Sequence, residues 1–127
     1  MSNLYAGVRG LAAGIAGVKW GLATTIYLTG PAYTPNYEVD ALFTDVPGAG
    51  ILAGPFTTTN GIITATGWCT VNALTIANVV TADVVTGALF TRGVGGILVF
   101  HATEGFGQKF TGQALLINWP TPGLFRP

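Results

Sequence analysis

The chain of 127 residues has ten charged side chains, a formal net charge of zero, one histidine and one cysteine, while half of its residues are hydrophobic. An average soluble domain of this length carries about 30 charged residues, so a surface this poor in charge is typical of a protein that meets other proteins over much of its surface. No cluster of Lys and Arg is present to attract a polyanion, and the composition therefore predicts no nucleic-acid partner.

The N-terminal stretch carries a stripe of large apolar residues at helical spacing. The stripe consists of Leu4, Val8, Leu11, Ile15, Val18 and Leu22. Beside it runs a stripe of glycines from Gly7 to Gly21, and each glycine lowers helix stability by about 1 kcal/mol relative to alanine. Such a helix needs packing to hold it. We predict that residues 1–22 form a short helix or arm that packs on the body of the domain; the alternative is an arm that docks on a neighbouring subunit.

Both ends of the chain supply the residues predicted to lie at a subunit interface. These candidates are Leu4, Val8, Leu11, Ile15, Val18, Trp20 and Phe125. Arg9 and Lys19 interrupt the apolar N-terminal stretch, whereas a membrane-spanning helix needs about 20 consecutive apolar residues. We therefore predict no transmembrane segment and no membrane partner.

From residue 23 onward, β-branched runs alternate with Gly, Pro, Asn and Thr, a texture typical of strands. The candidate strands are Ala23 to Thr29, Ile51 to Phe56, Gly61 to Thr66, Leu74 to Val79, Val84 to Thr91, Gly96 to Ala102 and Ala114 to Trp119. The pattern predicts a mainly β fold, with residues 23–127 forming one antiparallel β-sandwich or jelly-roll-like domain. Asn60-Gly61 is a strong hairpin signal and predicts that the second and third candidate strands pair.

Three further segments have individual expectations. The strand from Ile97 to Ala102 is apolar on both faces, which predicts cover on both sides. Gly93 to Gly96 is expected to be the hairpin loop before it. The segment from Pro31 to Pro47 carries three of the five acidic residues; we expect it to face water and to include a short helix around Leu42 and Phe43.

The residues offer little material for catalysis or metal binding. General acid-base chemistry most often uses histidine, but a lone His101 on an apolar strand favours a satisfied core or interface residue over a catalytic base. Cys69 cannot form an internal disulfide and is expected to be a small buried hydrophobe rather than a reactive thiol. Glu38, Asp40 and Asp45 lack the spacing of a calcium loop. We predict no catalytic residue, no metal site and no cofactor.

The order of the segments resembles a family of small structural proteins of tailed bacteriophages. The resemblance rests on short motifs in chain order: Leu4-Tyr5, the strand Thr24 to Thr29, the Tyr-rich turn Tyr33 to Tyr37, the segment Leu42 to Pro47, the final strand Leu115 to Trp119 and the tail Gly123 to Arg126. Members of that family usually carry charged residues in the first helix and the central strands, where this chain has Gly, Ala and Thr.

The resemblance implies a non-enzymatic virion component, assembled in the host cytoplasm, that decorates or cements the capsid. Its partners would be other virion proteins, such as major capsid or tail proteins, and other copies of the chain in a homo-oligomer. A neck or tail component is an alternative. Trp20, Trp68 and Trp119, with four tyrosines, leave a carbohydrate-binding surface module as a further alternative, although buried aromatics and subunit contacts explain these residues more simply.

Overall fold

The computed structural model describes Tyr5 and residues 24–57, 62–63, 69–70, 73–92, 96–103, 106–117 and 119. The strands in this part of the chain are β1 (Thr24–Thr29), β2 (Ile51–Thr57), β3 (Ile62–Ile63), β4 (Cys69–Thr70), β5 (Leu74–Val85), β6 (Gly87–Arg92), β7 (Ile97–Ala102) and β8 (Gln108–Ile117). Two short 3-10 helices, Phe43–Asp45 and Gly48–Gly50, lie between β1 and β2. The prediction of a mainly β, antiparallel fold is confirmed.

A four-stranded antiparallel sheet forms the centre of the fold, in the order β2-β1-β6-β7. Residues directly opposite one another on neighbouring strands project from the same face of a sheet. Tyr27 of β1 lies opposite Leu89 of β6, which lies opposite His101 of β7. We call the side of the sheet that carries these three residues the histidine face.

The opposite face of the sheet is covered by a long antiparallel ribbon, β5 with β8. The core between sheet and ribbon includes five buried residues, Leu28, Val79, Val85, Phe110 and Leu115. Four strands therefore pack against two, which is a small sandwich. A sheet covered on both sides explains why Thr25 to Thr29 of β1 and Leu98 to His101 of β7 are all buried.

The histidine face is covered by the segment between β1 and β2. The Phe43 ring packs on the Tyr27 ring, with 4.4 Å between their centroids. The same segment lies along the outer edge of β7, where the Leu98 amide donates to the Ala41 carbonyl at 3.0 Å. Glu38 and Asp45 are exposed, as expected for this segment, whereas Asp40 is partly buried.

The prediction that Asn60-Gly61 joins two paired strands is wrong for the described residues. β2 pairs with β1, and Ile62–Ile63 pairs with Cys69–Thr70. At the base of the loop between β1 and β2, the Gly30 amide donates to the Gly50 carbonyl at 3.0 Å and places one edge of β2 alongside β1. The residues after Asn60-Gly61 take their partner from later in the chain, Cys69–Thr70, and not from the other edge of β2.

The predicted strand Val84 to Thr91 is in fact the end of one strand and the start of another. β5 continues past Val79 to Val85, and β6 begins at Gly87 in the other sheet. Between them the Thr86 amide donates to the Thr29 carbonyl at 2.8 Å, which ties the crossing to the end of β1. The propensity for extended backbone is the same on both sides of this crossing, so residue type alone did not reveal it.

Two other predictions about strands have clear outcomes. β6 and β7 pair as a hairpin with Arg92 opposite Ile97, as the glycine run at residues 93–96 predicted. The last strand was predicted to begin at Ala114, whereas β8 begins at Gln108, because its first half pairs with the extension of β5.

The predicted N-terminal helix or arm, apart from Tyr5, lies outside the described residues. The same holds for all seven predicted interface residues, so both stay predictions, as does the division into residues 1–22 and 23–127. Within the described ranges, no helix has the length and apolar character to cross a membrane.

Candidate functional site

His101 lies in the interior of the molecule, on the histidine face, with 2% of its surface exposed. Its Nε2 atom is 2.8 Å from the Thr29 hydroxyl, and its Nδ1 atom is 3.0 Å from the Tyr37 hydroxyl. A neutral imidazole has one donor nitrogen and one acceptor nitrogen. One of the two hydroxyls therefore donates to the ring and the other accepts from it, and both nitrogens are satisfied by the protein.

A second chain of hydrogen bonds passes through two tyrosines. The Tyr33 hydroxyl donates to a carboxylate oxygen of Asp40 at 3.0 Å. Because that hydroxyl has only one proton, it must accept from Tyr5, whose hydroxyl oxygen lies 2.7 Å away. The Asn36 backbone N–H also donates to the same carboxylate oxygen of Asp40, at 3.0 Å.

Aromatic contacts join the two series of hydrogen bonds into one tyrosine–histidine cluster. Its members are Tyr5, Thr29, Tyr33, Tyr37, Asp40 and His101. The Tyr5 and Tyr37 rings meet edge to face with centroids 5.1 Å apart, and the Tyr33 and His101 rings lie 5.6 Å apart. The cluster connects the sheet, the loop between β1 and β2, and one residue of the N-terminal segment.

Burial keeps the ionisable rings of the cluster neutral. It lowers the pKa of His101 from 6.5 to about 4, because the charged imidazolium loses its hydration. Burial likewise raises the pKa of Tyr5, Tyr33 and Tyr37 above the ordinary tyrosine value. At neutral pH the imidazole and the three phenols are therefore uncharged.

This arrangement has the properties of a structural network. A general base needs a nitrogen that can reach a substrate proton, and both nitrogens of His101 already bond to the protein. The cluster can orient the loop on the sheet, and each buried polar atom contributes because leaving it unsatisfied would cost about 1–3 kcal/mol. This geometry agrees with the expectation of a satisfied core histidine.

Gly87 leaves the space that His101 occupies. A Cβ atom at this position would lie 2.6 Å from His101 Nε2 and 2.8 Å from the Ala102 carbonyl oxygen. We therefore expect Gly87→Ala to displace the imidazole and to lower the free energy of unfolding by about 1–3 kcal/mol, measured by urea denaturation. Gly48→Ala is the matched control, since nothing lies within 4 Å of its Cβ position. Equal stability of the two variants would contradict the packing described here.

In the part of the chain that the structure describes, five large apolar side chains are exposed: Val39, which is 71% exposed, and two on each of two other parts of the surface. Leu42 and Ile97 lie opposite each other in a β-bridge at the edge of the four-stranded sheet, and they are 51% and 43% exposed. We call this pair the edge patch. On the outer side of the ribbon, Val80 and Leu116 are 69% and 61% exposed.

The structure describes some of the other residues considered for metal, carbohydrate or thiol chemistry, but not all of them. In the described ranges, no group of three His, Cys, Asp or Glu side chains could hold a metal ion. Trp119 is partly buried and packs edge to face on Phe90, and the described tyrosines are buried or half-buried. Trp20, Trp68 and the side chain of Cys69 lie outside the described part of the chain.

Comparison with known proteins gives no match. No family model, curated protein or solved structure is similar to the chain. The resemblance to phage structural proteins therefore stays a prediction from the order of segments.

Proposed function

We propose that this chain is a non-enzymatic structural subunit of a tailed-bacteriophage virion that decorates or cements the capsid through contacts with other subunits. The observation that carries the proposal is the exposure of large apolar side chains, Leu42, Ile97, Val80 and Leu116, on a domain with very few charges. A neck or tail position is the alternative within the same class.

The charge pattern of the ribbon supports a role in contact with protein. β5 and β8 contain one charged residue each, Asp83 and Lys109, although the outer side of the ribbon faces away from the core. Exposed apolar residues that are grouped, rather than scattered singly, mark interaction sites, and Leu42 and Ile97 of the edge patch are direct neighbours. With a net charge of zero, copies of the chain also repel one another little.

The interior supports a structural role in a second way. The chain has one histidine, and His101 is used to hold the loop between β1 and β2 on the sheet through Tyr37 and Thr29. That loop supplies Leu42, half of the edge patch. The buried cluster therefore positions part of the surface that we propose meets a neighbour.

Self-association tests the proposal. We expect the wild-type protein to associate with rising concentration in sedimentation velocity experiments, since the proposed role includes a homo-oligomer. Replacing both residues of the edge patch, Leu42→Thr with Ile97→Thr, should weaken association by about tenfold or more, because each buried aliphatic side chain contributes on the order of 1.5 kcal/mol. The exposed substitution Thr57→Ser is the control. A wild-type protein that stays monomeric at every concentration would contradict self-association.

Location in the particle needs a separate experiment. Reconstruction of particles that contain the protein should place it at icosahedral positions on the head if it decorates the capsid, and in rings of three or six if it belongs to the neck or tail. Absence of the chain from purified particles would contradict a virion role.

A further inference from the structure

We propose that the cavity filled by the Tyr5 side chain is a tyrosine-binding socket, and that in the assembled protein it takes Tyr5 from the N-terminal segment of a second copy of this chain. The socket is formed by Tyr33, Tyr37 and the Val99 carbonyl. This proposal deepens the assembly role above and rests on it for the presence of a second copy.

Tyr5 is held by contacts that are specific for a tyrosine on a peptide backbone. Its side chain has no exposed surface. Its hydroxyl bonds to Tyr33 at 2.7 Å, its ring meets the Tyr37 ring at 5.1 Å, and its amide donates to the Val99 carbonyl at 3.2 Å. A phenylalanine would lose the first contact, and a free phenol would lose the last.

The walls of the socket are held in place without Tyr5. Tyr33 is fixed by its bond to Asp40, and Tyr37 by its bond to His101. Tyr33 is also packed tightly on Gly50: a Cβ atom added to this glycine would lie 2.6 Å from the Tyr33 Cβ atom. A site whose walls are pre-organised loses little entropy when it binds, so it can accept the same tyrosine from any chain that presents it.

The length of chain beyond Tyr5 permits exchange. Eighteen residues lie between Tyr5 and Thr24, the first residue of β1, and a chain of that length can span about 60 Å when extended. A domain of 127 residues is only about 35 Å across. Tyr5 can therefore reach the socket of an adjacent copy.

Exchange costs little because the contacts made are identical within one chain and between two. This is the physical basis of swapping an element between protomers. Within a crowded assembly the neighbouring socket is at high effective concentration, so contacts made in one isolated chain become contacts between subunits. Tyr5 then serves as an anchor that links copies through the inside of the domain rather than through its surface.

The test uses the full-length Tyr5→Ala variant and a synthetic peptide of residues 1–10. We expect saturable one-to-one binding of the peptide by titration calorimetry. A peptide carrying Tyr5→Phe should bind about five- to tenfold more weakly, as expected for loss of one buried hydrogen bond, and a peptide carrying Tyr5→Ala should not bind. Sedimentation should also show weaker self-association of the Tyr5→Ala protein than of wild type.

Two results would overturn the socket. One is a folded Tyr5→Ala protein, judged by circular dichroism, that does not distinguish the three peptides; the other is self-association equal to that of wild type. If Tyr5→Ala does not fold, full-length Tyr5→Phe retains the ring, and unchanged association of that variant would overturn the proposal. Sedimentation of the wild type decides the assembly role separately, because it does not depend on the peptide.

Discussion

Lowering the pH from 6.5 to 4 is expected to reduce the free energy of unfolding by about 3 kcal/mol, owing to His101. Its pKa falls from 6.5 to about 4 on burial, so in this window the unfolded chain binds a proton that the folded protein excludes. The contribution of neutral His101 to the free energy of unfolding is complete above about pH 6.5, and it decreases as the pH falls towards 4. Below about pH 4 both states are protonated, and the loss from this residue stops growing.

The His101→Gln variant identifies the residue responsible. Glutamine is neutral throughout the window, so its stability should change much less between pH 6.5 and 4, although the variant should be less stable than wild type at neutral pH. The backbone amides of Leu42 and Ala41 lower the pKa of Asp45, so protonation of Asp45 affects the free energy of unfolding mainly below this pH window. The neighbouring tyrosine hydroxyls stay protonated throughout the window. Urea denaturation at several pH values measures the difference. The same slope in wild type and variant would contradict the assignment.

The second large effect is expected from two adjacent leucines of β8. Leu115 is 8% exposed and lies in the core between sheet and ribbon, whereas Leu116 is 61% exposed on the outer side. Leu115→Ala should lower the free energy of unfolding by about 2–5 kcal/mol, because it removes buried methyl groups and leaves a cavity. Leu116→Ala should change it by less than about 0.5 kcal/mol.

Thermal or urea unfolding of both variants tests this pair directly. The two substitutions remove the same atoms one residue apart, so differences in residue type and helix or strand propensity cancel. Similar losses for both leucines would show that the ribbon does not present alternate residues to the core and to solvent as described.

The local parts of the fold could be predicted from the sequence, and the non-local parts could not. The β-branched runs indicated β1, β2 and β7 to within about a residue, and the glycines at 93–96 indicated the hairpin that joins Arg92 to Ile97. Each of these features depends on residues close together in the chain. The pairing of β2 with β1 and the crossing at Thr86 depend on hydrogen bonds to distant residues, which strand propensity does not encode.

The tyrosine–histidine cluster was missed for the same reason. His101 was expected to be satisfied, but its partners Tyr37 and Thr29 lie 64 and 72 residues away in the chain. Tyr5 is 28 residues from Tyr33. The available signal was chemical: one histidine and a Tyr-rich turn at Tyr33 to Tyr37. That signal suggests a tyrosine as a partner of His101, but it indicates neither Thr29 nor Tyr5, nor the geometry.

The irregular ribbon has a consequence for strand pairing between copies of the chain. The register between β5 and β8 shifts at three places, and the backbone is left-handed at Asn78 and Gly112. Bulges of this kind bend and twist an edge, which makes it a poor template for adding further strands. In the described part of the chain β5 and β8 pair only with each other. The ribbon edges therefore disfavour unlimited strand pairing into a filament, and the assembly that we propose would instead use side-chain contacts and the exchanged Tyr5, which can close into a finite ring or shell.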